Sequence, residues 1–138
     1  MRPIYENRTT MQHEQDFARS LEKLLLCNLV KCPRNFHIDF AAVRNAKVVS
    51  FIEYRKRSNA MDYYPTFMTA ANKKICAQAI NRSSSLPVYM FVQWTDHLGY
   101  VDLVNCKADW SVGGRKDRND PADFEPVIQI PLTEFKKI

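Results

Sequence analysis

Glycine is scarce in this chain, which has three glycines among its 138 residues. Phosphate-binding loops of the common nucleotide-binding proteins need several glycines at fixed spacing, because the backbone must approach the phosphates closely. Neither GxxxxGK[ST] nor GxGxxG occurs in the sequence. The scarcity therefore excludes the usual nucleotide-binding loops and a fold that depends on many left-handed turns.

Long apolar runs and paired cysteine motifs are also missing. No run of roughly 18 apolar residues is present, and the amino-terminal residues lack the apolar centre of a secretion signal. The four cysteines, at positions 27, 32, 76 and 106, complete no zinc-binding pattern with each other or with histidines. These features predict a cytoplasmic protein with reduced thiols and no membrane partner.

The composition is that of an ordinary globular domain with a basic surplus. Apolar residues make up 46% and charged residues 25% of the chain, and the formal net charge is +5. A chain of this length forms one domain, here residues 1–138, with a core of its own. The positive charge favours an anionic partner such as DNA.

Hydrophobic periodicity predicts an α/β fold with a mixed central β-sheet flanked by helices. The predicted helices run from Thr9 or Thr10 to about Asn28 and from Pro65 to about Asn81, and the predicted strands are 36–43, 47–56, 88–95, 100–106 and 127–130. The second helix links strand 47–56 to strand 88–95, which predicts a right-handed crossover between parallel strands. A polar loop is expected at 113–121.

Two carboxylates stand out because each interrupts an otherwise apolar strand. Asp39 and Glu53 are separated by thirteen residues, which suits neighbouring antiparallel strands joined by a turn. A buried carboxylate is costly unless it is paired, hydrogen-bonded or bound to a metal. Glu14, on the apolar stripe of the first helix, is a third acid expected to point toward the protein and to add a metal ligand or hold a metal-bound water. The pattern predicts a Mg²⁺ site, which Mn²⁺ can also occupy, for phosphodiester chemistry.

Several cations accompany these acids. Arg55 shares a strand face with Glu53 because residues alternate across a strand, and it can neutralise a developing oxyanion. Lys73 flanks the apolar arc of the second predicted helix and is favoured over Lys74 as an additional active-site cation. The basic side chains that can contact DNA phosphates are Arg34, Arg44, Lys56, Arg57 and Lys74.

The order of these residues resembles the PD-(D/E)XK nuclease superfamily, which has a restriction-endonuclease-like core of the order α-β-β-α-β-β. The leader Arg2-Pro-Ile-Tyr-Glu6 and the segment Glu53-Tyr-Arg-Lys-Arg57 resemble those of small phage nuclease-like proteins. The resemblance implies that Asp39 and Glu53 bind metal and that Glu14 is the acid on the helix. It also implies a DNA nuclease acting in the host cytoplasm. Arg55 occupies the place of the motif lysine, so Lys56 or Lys73 takes over that role, or the site cleaves nothing.

Other interpretations remain open from the sequence. Glu14 can belong to the polar end of an amphipathic helix, and Asp39 can cap a turn or pair with Arg44 or Arg55. Glu53 and Arg55 can form a structural ion pair. At the level of function, the alternatives are a catalytically silent DNA-binding module on the same fold and a phage assembly protein. A homodimer is expected if one site must cut both strands of a duplex.

Overall fold

The computed structural model describes residues 8–114 and 124–138. Its helices are α1 (Arg8–Leu25) and α2 (Ala71–Ser84). Its strands are β1 (Asn28–Lys31), β2 (Phe40–Arg44), β3 (Lys47–Lys56), β4 (Thr66–Ala70), β5 (Val88–Gln93), β6 (Leu98–Asp102), β7 (Asp109–Gly114), β8 (Phe124–Pro131) and β9 (Lys136–Lys137). The leader at 2–6 and positions 115–121 of the predicted polar loop lie outside the described residues.

A six-stranded sheet in the order β1-β2-β3-β5-β6-β9 forms the centre of the fold. β2 and β3 pair antiparallel, and β3 and β5 pair parallel, as the sequence predicts. The predicted bounds are wrong for two strands: β2 starts at Phe40 because Arg34–Phe36 form a 3-10 helix, and β6 ends at Asp102 rather than at 106. The connection from β3 to β5 passes through β4 and α2. The mixed sheet with helices on its faces, predicted from hydrophobic periodicity, is confirmed.

Two apolar clusters cover the two faces of this sheet. On one face, Phe17 and Leu21 of α1 pack against Phe40, Ile52 and neighbouring side chains. On the other face, the sheet packs against α2 and a second sheet in the order β4-β8-β7. Alternate residues of β3 therefore enter different surroundings: Ile52 and Tyr54 face α1, whereas Glu53 faces the side covered by α2.

The predicted helix from Pro65 is wrong at its beginning. Residues Thr66–Ala70 form β4, which pairs antiparallel with β8, and the helix starts only at Ala71. The segment Thr66-Phe-Met-Thr contains two β-branched residues and alternates in burial, which favours a strand once β8 is present to pair with it. The partner strand lies about sixty residues further along the chain, so local periodicity does not reveal it.

The first helix is also shorter than predicted. It ends at Leu25, Leu26 adopts a positive φ of 53°, and Asn28–Lys31 forms the edge strand β1. The strand β7 was not predicted at all; Gly113 and Gly114 of the expected loop belong to it. Within the described residues no helix is long and apolar enough to span a membrane.

Candidate active site

Strand pairing brings the two predicted carboxylates together. Phe40 in β2 lies opposite Ile52 in β3, and continuing this register places Asp39 opposite Glu53. The Tyr54 N–H donates a hydrogen bond of 2.8 Å to Asp39 Oδ2, which fixes the carboxylate against β3. One guanidinium nitrogen of Arg55, Nη1, lies 2.8 Å from Glu53 Oε1 and 3.8 Å from Asp39 Oδ2. The two acids therefore converge on one point.

Glu53 is the most unusual polar residue of this cluster. Its side chain is completely buried, although it is charged in its ordinary state. The ammonium of Lys73 lies 3.2 Å from Glu53 Oε2. Lys73 does not donate a hydrogen bond to this oxygen, and Oε2 has no hydrogen-bond partner among the described residues. A buried carboxylate oxygen that lacks a hydrogen bond is costly even beside an ammonium, so its retention indicates a role other than stability.

The surroundings of Glu53 shift its proton equilibrium. The pKa of Glu53 is raised to about 8, mainly by burial and also by the nearby Asp39 carboxyl, while Arg55 opposes this effect. Lys73 lowers it to a smaller extent. A bound divalent cation would favour the ionised form, so binding a cation here releases a proton below about pH 8.

The structure distinguishes between the lysines considered for the place of the motif lysine. Lys73, in the first turn of α2, approaches Glu53 and donates a hydrogen bond of 2.6 Å to the His37 carbonyl. Lys56 lies on the opposite face of β3, beside Tyr54 and α1. Lys73 is thus the lysine that accompanies the two carboxylates.

Glu14 is buried and faces the protein, as predicted, and its carboxylate pairs with Lys31, a residue not predicted to belong to the site. Lys31, in the edge strand β1, places its ammonium 2.5 Å from Glu14 Oε2 and 3.8 Å from Asp39 Oδ1. Only the pairing of β1 with β2 brings Lys31 next to Asp39, since Lys31 lies opposite Phe40. No local sequence signal identified β1, which was assigned to the end of the helix.

These acidic and basic side chains line one surface pocket. The ionisable members of its lining are Glu14, Lys31, Cys32, Arg34, His37, Asp39, Glu53, Arg55 and Lys73. Burial, together with the nearby Asp39 carboxylate, raises the pKa of Cys32 to about 11. The Cys32 thiol is therefore neutral near pH 7, and the pocket draws its chemistry from the carboxylates and cations.

Two of the residues predicted to contact DNA are placed elsewhere. Lys74 is buried, 6% exposed, and its ammonium donates hydrogen bonds to the carbonyls of Leu103, Val104 and Cys106. The buried face of α2 differs from the predicted apolar face, because α2 buries Ala71, Lys74 and Ala77 while Ile75 is exposed. An enclosed ammonium cannot reach a phosphate, so the structure contradicts the prediction for Lys74.

Arg44 is likewise distant from the pocket. It ends β2 five residues after Asp39, or about 17 Å at the rise of a strand, and its guanidinium donates to the carbonyls of Leu25 and Leu26. The structure therefore places Arg44 at the end of α1, away from the pocket.

Arg57 is half-buried over the Phe67 ring and donates to the Met68 carbonyl. Burial lowers the pKa of Arg57, and the neighbouring Arg55 lowers it further. Arg34 lies at the pocket itself and is exposed, while Lys56 is exposed on the α1 side. Of the five predicted contacts, Arg34 is the one beside the carboxylates.

The donor atoms of the pocket fit a small divalent cation. Mg²⁺ prefers hard oxygen ligands and keeps several waters, so one or two carboxylates suffice. Asp39 and Glu53 supply carboxylate oxygens, the Tyr54 carbonyl is adjacent, and Glu53 Oε2 accepts no hydrogen bond. Among residues 8–114 and 124–138 no group of three His, Cys, Asp or Glu side chains is arranged around a common metal position. Such a cation would therefore depend on two carboxylates, backbone and water.

The fold and this acidic pocket define a protein of the restriction-endonuclease-like class. The crystallised Archaeoglobus fulgidus Hjc, a Holliday junction resolvase from an archaeal hyperthermophile, superposes with a TM-score of 0.55 over 90% of each chain, at 11% sequence identity. The sequence matches along residues 1–138 the model of a family described as "Phage putative PDDEXK endonuclease". The chain belongs to that family. No curated protein matches it in sequence.

Proposed function

We propose that this protein hydrolyses DNA phosphodiester bonds with water and Mg²⁺, at the pocket formed by Asp39 and Glu53. The observation that carries the proposal is the completely buried Glu53 carboxylate, which lies beside Asp39 and has one oxygen without a hydrogen bond. A fold keeps such a group when it serves binding or catalysis, because an apolar residue there would be less costly. Family membership supports the same conclusion.

Asp39, Glu53 and the Tyr54 carbonyl would hold the cation. When bound, a divalent cation supplies an acidified water and neutralises charge on a phosphate. The protein provides the remaining functions. Lys73 holds its ammonium 3.2 Å from Glu53, where it can stabilise the negative charge that develops on the phosphate oxygens.

Arg55 joins the two carboxylates and keeps them at one point. Its fixed positive charge cannot supply a proton at useful pH. Arg34 at the rim and the net charge of +5 favour the approach of the DNA backbone.

The substrate is proposed to be DNA, with four-way junctions as the first structure to compare with linear duplex, because the Hjc structure with the same fold is that of a junction resolvase. Cutting two strands requires two sites, so a homodimer is the expected assembly. A phage-encoded nuclease of this kind would act in the host cytoplasm.

A second candidate function is supported by one observation. Arg55 occupies the place of the motif lysine, and it hydrogen-bonds both Glu53 Oε1 and the Tyr54 carbonyl. These are oxygens that a cation would use. A catalytically silent DNA-binding module therefore has the same fold and the same pocket, and it differs only in lacking cleavage.

The test compares cleavage and binding in the full chain. Supercoiled plasmid and a labelled four-way junction are incubated with Mg²⁺ or Mn²⁺, and with EDTA as a control. Asp39→Asn and Glu53→Gln should abolish cleavage, whereas Asp109→Asn, the same change at an exposed residue of β7, should not. Salt-dependent binding without cleavage would select the silent module. Absence of both would overturn the proposal.

A further inference from the structure

Lys31 is the cation of the pocket that the proposed chemistry does not use. Its ammonium lies 2.5 Å from Glu14 Oε2 and 3.8 Å from Asp39 Oδ1. It comes from the edge strand β1, whereas the two nearby carboxylates come from α1 and from the residue just before β2. Lys31 therefore ties three separate elements together at the mouth of the pocket.

The two oxygens of Asp39 have different neighbours. Oδ2 accepts the hydrogen bond from the Tyr54 N–H at 2.8 Å and faces Arg55 at 3.8 Å. Oδ1 faces Lys31. Because Oδ2 is already engaged by the backbone of β3, Oδ1 is the oxygen that a divalent cation can take with least rearrangement. That oxygen is the one next to the Lys31 ammonium.

We propose that Lys31 is an internal counter-ion that competes with the divalent cation for Asp39. The inference rests on the proposed metal site and adds a residue that lowers the affinity of this site for metal. The Lys31 ammonium, 3.8 Å from Asp39 Oδ1, repels a divalent cation bound at that oxygen, so it lowers the affinity of the site for metal. Glu14, whose Oε2 lies 2.5 Å from the same ammonium, holds this competing charge near the site.

Lys31 is easier to displace than Arg55 or Lys73. Its side chain is 41% exposed, compared with 29% for Arg55 and 17% for Lys73. A lysine has a long flexible stem and regains hydration when its ammonium turns toward water. Displacing Lys31 therefore costs less than displacing Arg55 or Lys73, but the cost still reduces the affinity for metal.

The experiment measures Mn²⁺ binding to the full chain without DNA, by isothermal titration calorimetry and by electron paramagnetic resonance of free Mn²⁺. Lys31→Met should bind Mn²⁺ about three- to tenfold more tightly than the unmodified protein, since it removes a partly exposed competing charge. Lys47→Met is the matched control. Lys47 begins β3, six residues from Glu53, which is about 20 Å and beyond the screening length at ordinary salt.

The outcomes separate this inference from the proposed function. Equal or weaker Mn²⁺ binding by Lys31→Met would overturn the role of Lys31 while leaving the metal site intact. An equal gain in Lys47→Met would also overturn it, because the effect would then be one of net charge. Absence of Mn²⁺ binding in every variant would overturn both proposals. Lys31→Gln, which stays polar, repeats the test if circular dichroism shows that Lys31→Met is unfolded.

Discussion

Two consecutive lysines of α2 lie in two very different surroundings. Lys74 donates hydrogen bonds to three backbone carbonyls, at 3.1 Å for Leu103, 3.2 Å for Val104 and 2.9 Å for Cys106. Lys73 instead faces the buried carboxylate of Glu53 and the carbonyl of His37. Both ammonium groups meet oxygen atoms, but only one of these sets of oxygens is incompletely satisfied.

The difference separates a structural role from a chemical one. Around Lys74, the ammonium donates to three backbone carbonyls, so it holds the turn at 102–106 against the helix. Around Lys73, Glu53 Oε2 accepts no hydrogen bond within the described part of the chain, and the pKa of Glu53 is raised to about 8 by burial. Polar groups that are fully satisfied stabilise a fold, whereas an unsatisfied buried acid indicates a site that binds or reacts.

The largest expected effect is a loss of DNA cleavage when Lys73 is replaced. Lys73→Met should lower the single-turnover rate of DNA cleavage by about 10²- to 10⁴-fold, since it removes a charge placed beside the reacting phosphate. Lys56→Met, on the other face of β3, should change the rate less than about threefold. A larger loss in Lys56→Met than in Lys73→Met would assign the role of the motif lysine to Lys56.

On the Lys74 side, the expected effect is on stability. Lys74→Met leaves the three carbonyls without their donor, so the free energy of unfolding should fall by about 2–4 kcal/mol. Urea denaturation followed by circular dichroism measures this change. Lys73→Met should lower the same quantity by less than about 1 kcal/mol. Similar losses in the two variants would show that Lys73 and Lys74 do not differ in their contribution to stability.

The raised pKa of Glu53 predicts how stability depends on pH. In the unfolded chain Glu53 loses its proton near its ordinary pKa of 4.5, whereas in the folded protein it keeps the proton up to about pH 8. Between these values the folded state binds the extra proton, so the free energy of unfolding falls as pH rises. From pH 5.5 to 7.5 the unmodified protein should lose about 2–3 kcal/mol relative to Glu53→Gln.

Urea denaturation of both proteins without metal, at the two pH values, tests this prediction. Glu53→Gln is the reference because the amide does not titrate and has nearly the same shape. If the two proteins showed parallel pH dependence, Glu53 would be ionised in the folded state at pH 5.5. The surroundings of Lys73 would then not differ from those of Lys74 in the way that the raised pKa of Glu53 implies.

The smallest expected effect concerns Arg44, whose guanidinium donates to the carbonyls of Leu25 and Leu26. Arg44→Met removes the hydrogen bonds to the last carbonyls of α1, so the free energy of unfolding should fall by about 0.5–1 kcal/mol. DNA affinity, measured by fluorescence anisotropy, should change less than about twofold after the loss of this one charge. A clear loss of DNA affinity would restore Arg44 to the DNA-contacting surface predicted from sequence.

Local pattern predicted the part of the fold whose causes are local. The hairpin of β2 and β3 follows from two apolar strands joined by a short turn, and the parallel pairing with β5 follows from the long connection between them. β1 and β4 escaped prediction because each becomes a strand only by pairing with a partner elsewhere in the chain. Within the site, alternation along β3 placed Glu53 and Arg55 on one face.

The sequence by itself determined that two carboxylates and an arginine would converge, since strand alternation and a short connection leave little freedom. Helical spacing favoured Lys73 over Lys74 as the additional cation, but only tertiary structure brings the Lys73 ammonium to Glu53. Lys73 and Lys74 are chemically identical neighbours about 100° apart around a helix, and only the docking of α2 assigns one to Glu53 and the other to the carbonyls at 103–106. Lys31 enters the pocket for the same reason, because long-range pairing of an edge strand sets its position.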